Sequence, residues 1–256
     1  MDVREARVVL RERRLLDVLD LALRFLIAHP GPYLVVSAFV LVPCAVASVV
    51  AWTHLGLTGG LATSVALSAL AELPLTMLGS RLVFERNVAL ADVARDSVRR
   101  APLVLVGRTL IAMSFVVGAS LFVIPGVWVA ATFLFVPEII ALERAGVGVA
   151  MTRAQRMTSG RFGEAVLAVA ALALVHAGAA VVGDRALTSA LRDLLQLRPP
   201  PTLGQEDGGV LALVAFWLAV PYVATARLFA YLDLRTRTEG WDPQVRFAAL
   251  AQRAEP

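Results

Sequence analysis

Apolar residues in this chain come in long runs with short charged segments between them, rather than in strict alternation or in one narrow stripe. Six runs, at 32–54, 61–83, 102–123, 125–142, 163–183 and 210–232, come near the roughly 20 residues that a helix needs to cross about 30 Å of hydrocarbon. The pattern predicts an all-α integral membrane protein with six transmembrane helices, forming a single membrane domain over 1–256. The third and fourth runs make one apolar block from Ala101 to Leu142. That block is too long for one span, and Ile124-Pro125-Gly126 in its middle predicts a tight hairpin.

Ahead of each odd-numbered span stands a stretch in which apolar residues recur at helical spacing against Arg and Asp. These are LLDVLDLALRFLIAH within 1–31, ALADVARDSVRRA before span three and GVAMTRAQRMTSGRF within 143–162. This is the pattern of a helix lying in the membrane interface. Each even-numbered span carries a proline ahead of a boundary arginine, Pro74 to Arg81, Pro137 to Arg144 and Pro221 to Arg227, at separations of seven, seven and six residues. Pro43 adds a kink to span one. The chain thus reads as three units of interfacial helix, span and Pro-kinked span in one orientation, as in parallel repeats about the membrane normal. The alternative is that proline is simply common in membrane helices.

Composition agrees: 58% of the residues are hydrophobic, only 17% are charged, and the mean hydropathy is +0.74, which excludes an ordinary soluble domain. A net charge of +4 and a pI of 10.1 would by themselves suggest a nucleic-acid partner. However, all 24 basic residues are arginine, and 19 of them fall on the side that both termini share, against three (Arg185, Arg192 and Arg198) on the other. Such a bias places both termini in the cytoplasm and explains the arginines without nucleic acid. Arg235 and Arg237, in the 233–256 tail, are then expected at anionic lipid headgroups, with Tyr231 and Trp241 as interfacial anchors. The lone Cys44 excludes a disulfide framework. The N-terminal stretch is too charged for a cleaved signal peptide, so entry into the membrane is expected through the internal spans. On the far side, 184–209 is the longest loop; Leu187, Leu191, Leu194 and Leu195 share a helical face in it, predicting a cap on the bundle ended by the stiff Pro199–Pro201.

Four charges, Glu72, Arg108, Glu138 and Arg227, lie inside spans and must face the bundle interior or water. Arg108 stands six residues beyond Pro102 and Glu138 six before Arg144, so both lie about 9 Å inside the cytoplasmic boundary. That depth predicts an Arg108–Glu138 ion pair, or alternatively a proton or ion relay with Glu72, which sits deeper and has no depth-matched cation. His176, within LALVHAGAAV, is expected to join two helices by a hydrogen bond. His29, His54 and His176 are separated by whole spans or stand at opposite ends of one. No HExxH, GxSxG, Walker or CxxC pattern occurs, so no catalytic group, metal or cofactor is expected.

Two stretches resemble a known family. ALERAGVGVAMTRAQRMTSGRFGEA, with Glu143, Arg153, Thr158, Gly160, Arg161 and Phe162, and the C-terminal Tyr231, Asp233, Arg235, Arg237, Glu239 and Gly240 resemble motifs of the membrane domain of glycerophosphoryl diester phosphodiesterases. The sequence departs from the first motif at Ala154 and Gln155, where Arg-Ser is usual, and at Met157 in place of leucine. The resemblance implies a six-helix fold in a bacterial inner membrane, sometimes fused to a soluble phosphodiesterase. The 256 residues hold no such catalytic domain.

The expected function is a non-catalytic membrane scaffold or accessory subunit, working by packing and through its interfacial helices on lipids and an unidentified membrane or cytoplasmic protein. The alternative is a small solute or ion transporter or channel that uses the kinked helices and Glu72. A dry interior at Glu72 favours the first reading, a water-reachable cavity the second.

Overall fold

The computed structural model describes residues 14–85 and 87–238, and among these it contains helices and connections but no strand. The helices are α1 (Leu15–Ala28), α2 (Pro30–Phe84), α3 (Leu90–Leu121), α4 (Val123–Thr132), α5 (Val136–Glu143), α6 (Val147–Ser159), α7 (Phe162–Ser189) and α8 (Val210–Thr238). Five helical segments are long and apolar enough to cross a membrane, with α4 and α5 counted as one.

Helix α1 has three sides. Val18, Ala22 and Phe25 are buried, Phe25 meeting Phe229 edge-on; Leu16, Leu23 and Ile27 form a second, exposed apolar stripe; Asp20 and Arg24 pair on the third side. It stops where Pro30 follows, because the residue before a proline is pushed out of the helical region, and His29 takes φ −127°, ψ 52°.

At 55 residues, α2 is one element by hydrogen bonding but two helices by direction, since Gly56 breaks it at φ 70°, ψ −171°. That left-handed conformation is open to glycine and strained for other residues. Beyond it the chain doubles back: a Cβ on Gly60 would lie 2.9 Å from Trp52 Cβ, and one on Gly79 would lie 2.9 Å from the Tyr33 hydroxyl. A continuous helix would separate Tyr33 from Gly79 by about 69 Å. The halves 30–55 and 57–84 are therefore antiparallel neighbours.

Several predicted boundaries move. The hairpin of the central apolar block turns at Phe122, extended at φ −162°, ψ 156°, whereas Pro125 and Gly126 lie inside the start of α4. Proline costs no hydrogen bond in a first helical turn. Gly118 and Gly126 let the two backbones approach, since a Cβ on Gly118 would sit 3.1 Å from the Gly126 nitrogen and one on Gly126 3.0 Å from the Ala119 Cβ. The stretch 89–101 is not a separate interfacial helix but the first turns of α3, which runs through Pro102. An Arg81–Asp96 ion pair of 2.6 Å and the Arg100 guanidinium donating to the Ile140 carbonyl hold those turns on the bundle. The predicted fourth span is broken in two by the turn at 133–135, with Pro137 near the start of α5.

At the far end α7 continues past 183, through Ser189 and a π turn at Ala190–Leu194. Leu194 and Leu195 are 80% and 61% exposed, so this stretch does not cap the bundle. The loop is instead clasped by α7: Asp184 accepts from the Leu203 amide, and Arg185 donates to Thr202 and to the Leu203 carbonyl.

Burial alternates along the chain. The most apolar stretches of α3 and α7 are 17% and 22% buried, against 56% for α4–α5 and 61% for α8. Within 71–84 every residue but Pro74 and Arg81 is buried, while 30–55 buries only Tyr33, Val36, Leu41 and Ser48. The second helix of each pair makes the core and the first makes an outer layer.

Candidate functional site

Two charge clusters lie toward the end of the bundle where α2 begins and α8 finishes. The inner one is built from helices far apart in sequence. Glu72 is 12 residues before the end of α2 and Arg227 is 11 before the end of α8, and the side chains meet with Arg227 NH1 2.7 Å from Glu72 Oε2. The same oxygen takes NH2 of Arg108 at 2.5 Å, and Arg227 Nε donates to Glu138. The result is an alternating chain, Arg108–Glu72–Arg227–Glu138, with no net formal charge. This corrects the predicted Arg108–Glu138 pair and the expectation that Glu72 lacks a cation. Depth counted from the ends of the apolar runs misplaces the partners because α8 runs six residues beyond 232, which carries Arg227 down to the level of Glu72.

All four residues are largely withdrawn: Glu138 is 0% exposed, Glu72 3% and Arg227 8%, and the Arg108 side chain 18%. Leu73, Thr76, Val104, Pro137 and Ala141 close around Arg108, Glu138 and Arg227, leaving no space for a water molecule. Among the described residues Thr76 Oγ1, Arg108 Nε and Glu138 Oε2 find no hydrogen-bond partner. His176 does not make the predicted interhelical hydrogen bond; its ring stacks on Phe216 at 4.7 Å and Nε2 has no partner among the described residues.

The outer cluster collects the residues of the two motifs. Glu143, at the end of α5, receives Tyr231 through its hydroxyl, Arg153 at 2.9 Å and Arg235 at 3.4 Å, and Arg235 also donates to Tyr231. Arg237 joins Asp233 at 2.8 Å and Glu164 at 3.3 Å, and Glu164 also holds Arg161. Thr158, buried on α6, donates to Ala154 and toward the Thr132 carbonyl at the end of α4, where the break in the helix leaves acceptors to be satisfied. Gly160 and Arg161 make the turn from α6 into α7, and the Phe162 ring is 37% exposed. Tyr231 is fully buried, so it is an interior clamp and not an interfacial anchor. Glu239, Gly240 and Trp241 lie outside the described residues.

Of the four prolines expected to kink helices, Pro43, Pro74 and Pro221 lie within helices, and the break in α2 falls at Gly56 instead. Sequence reasoning missed the Arg81–Asp96 pair and the Asp184–Arg185 clasp. A signal existed for the second, an acid and a base side by side at the end of an apolar run.

Chemically, both clusters hold helices together. Each carboxylate named serves at least one arginine, and no group of His, Cys, Asp or Glu among the described residues could hold a metal ion. The fold and these sites define an all-helical protein with a membrane-suited exterior and a charge-locked interior. No protein-family model matches the chain, and no curated protein or solved structure is similar to it.

Proposed function

We propose that this protein is a non-catalytic scaffold or accessory subunit of a bacterial inner membrane, crossing it six times with both termini in the cytoplasm. The observation that carries the reading is the inner charge chain: four intramembrane charges pair with one another, with Glu72 3% exposed and the space around Arg108, Glu138 and Arg227 too tight for water. A transport pathway needs ionisable groups that face a cavity or change partners, whereas a locked chain fixes the register of helices. Six crossings are supported by the reversal at Gly56. Three parallel units are supported by the alternation of outer and inner helices, the inner members being 57–84, α4–α5 and α8. The arginine bias supports the orientation. Membership in the phosphodiesterase membrane-domain family remains a proposal, supported by the meeting of its two motifs in one cluster. On this reading the protein acts through its lipid contacts and through a membrane or cytoplasmic protein partner.

One observation favours the second reading, a small solute or ion transporter. The broken α4–α5 helix lies next to Glu138, one of whose oxygens has no partner among the described residues, and broken helices line many transport sites. A cysteine at Thr76, in a Cys44→Ala background, decides between them. Failure of a small water-soluble thiol reagent to label it in membranes is expected for the scaffold. Ready labelling, blocked by prior reaction from one side, would replace that reading with the transporter.

A further inference from the structure

Helices α1 and α7 both pack on the last turns of α8 but scarcely touch each other. Between them opens a cavity of about 620 Å3. Its floor is Phe135, Ala230 and Leu234, and its apolar walls are Leu15 and Val18 of α1 and Leu167 and Ala168 of α7. The rim is charged but balanced: Arg237 joins Asp233 and Glu164, and Glu164 also holds Arg161. A rim paired within itself selects no charged ligand. The occupant is therefore set by its apolar side and by how it reaches the site.

We propose that this cavity is the docking site of the chain's own C-terminal segment, residues 243–254. Ala230, Asp233, Leu234 and Arg237 form the face of α8 that lines the cavity, and α8 ends one residue later at Thr238, so the 18 residues that follow start at its mouth. The four residues 239–242 reach about 14 Å when extended, and the way back from Thr238 to the level of Leu234 is about 6 Å along the helix axis. The return is within reach. Beyond it the sequence reads DPQVRFAALAQRA, in which Asp242 before Pro243 is a helix-start signal. Phe247, Leu250, Ala251 and Ala254 recur at i, i+3, i+4 and i+7, the spacing of one apolar face, and Arg246 and Arg253 fall off that face. Phe247 and Leu250 supply apolar bulk for the space between Leu15 and Leu167, and the small Ala251 and Ala254 permit close approach. The segment 1–13 also adjoins the cavity through Arg14, but it carries seven charged residues and no aromatic, against two charged residues and Phe247 in 243–254. On so short a linker the tail meets the cavity at an effective concentration on the order of millimolar, so modest apolar burial holds it there against competitors from solution. Docked, it bridges α1 and α7 where they do not meet. The docking rests on the shape of the bundle and not on the scaffold role.

The test is crosslinking of cysteine pairs by a short bifunctional thiol reagent, in membranes, in the full chain carrying Cys44→Ala. Ala251→Cys keeps Phe247 and Leu250 in place and puts the probe on the apolar face. Paired with Leu15→Cys or with Leu167→Cys it should crosslink within one chain at least about tenfold faster than with Val98→Cys, the margin of a docked over a merely tethered segment. Val98 is exposed near the start of α3, which is no wall of the cavity. Adding Phe247→Glu should abolish the difference, whereas Gln252→Glu, off the apolar face, should leave it, with unfolding of each variant in detergent as the check that the bundle is intact. Equal rates at all three positions, no crosslink at Leu15 and Leu167, crosslinks between two chains instead of within one, faster reaction from Val8→Cys of the N-terminal segment than from Ala251→Cys, or a difference that survives Phe247→Glu would each overturn the docking. None of these outcomes bears on thiol labelling at position 76, so the two proposals fail separately.

Discussion

Arg227 stands between two carboxylates from different helices, Glu72 of α2 and Glu138 of α5, and the Glu72 contact is 2.7 Å long. One guanidinium thereby joins three helices of the core. Removing it strands Glu138 and leaves Glu72 to Arg108 alone, whereas removing Arg108 leaves Glu72 held by Arg227 and Glu138 undisturbed.

Arg227→Leu is therefore expected to be the most damaging change in the inner cluster, with a loss of about 3–5 kcal/mol, the range for one-sided disruption of a buried pair. Arg108→Leu should cost clearly less. Combining Arg227→Leu with Glu138→Leu should recover much of the loss, while Arg108→Leu with Glu138→Leu should recover less, because these two share no contact and couple only through the Glu72–Arg227 pair between them. Unfolding in detergent across this set checks the connectivity, and strong rescue in the last pair would contradict it.

Gly60 and Gly79 hold the two halves of α2 together. A Cβ at Gly60 would meet Leu213 and Trp52 at 2.9 Å and the Ser48 carbonyl at 3.2 Å, so Gly60→Ala should destabilise by about 1–3 kcal/mol through overpacking. Gly31→Ala, with nothing within 4 Å, is the matched control and should leave the melting temperature unchanged.

In the outer cluster, Tyr231→Phe deletes one donor to Glu143 and should cost about 1 kcal/mol. Glu143→Gln weakens the contacts to Tyr231, Arg153 and Arg235 together and should cost more. It should also free α6, read as faster proteolysis within 147–159 while the rest of the bundle stays intact.

A cysteine at Gln205, again without Cys44, should react with a membrane-impermeant thiol reagent only from the side opposite both termini. Labelling from the same side as a tag on the N-terminus would leave an odd number of crossings between position 205 and the N-terminus impossible and would reject the six-crossing path.

The apolar runs were legible in the sequence because hydrocarbon thickness sets their length whatever their neighbours are. The helix ends were not. α8 continues to Thr238 because Arg235 and Arg237 find partners on α5 and α7, and α3 begins at Leu90 because Asp96 meets Arg81; both causes are tertiary. From that error in the ends came the wrong ion pair, since depth was the only clue to partners. Every residue of the inner cluster stands out in the sequence as a charge inside an apolar run, and the outer cluster stands out except for Glu164, which nothing in its spacing marks. That Glu143 and Tyr231, separated by 88 positions, would touch could not be read from spacing.

The alternation of outer and inner helices also governs how this sequence can drift. Most positions in 30–55, α3 and α7 answer only to the bilayer, which accepts any apolar residue of similar bulk, and neutral exchange there can proceed almost without constraint. Positions 71–84, α5 and α8 answer to one another, and a change in any of them must be matched by a neighbour. Tolerance to substitution should therefore rise and fall in long waves along the chain, one per helix pair, and ancestry should persist longest in the inner helices.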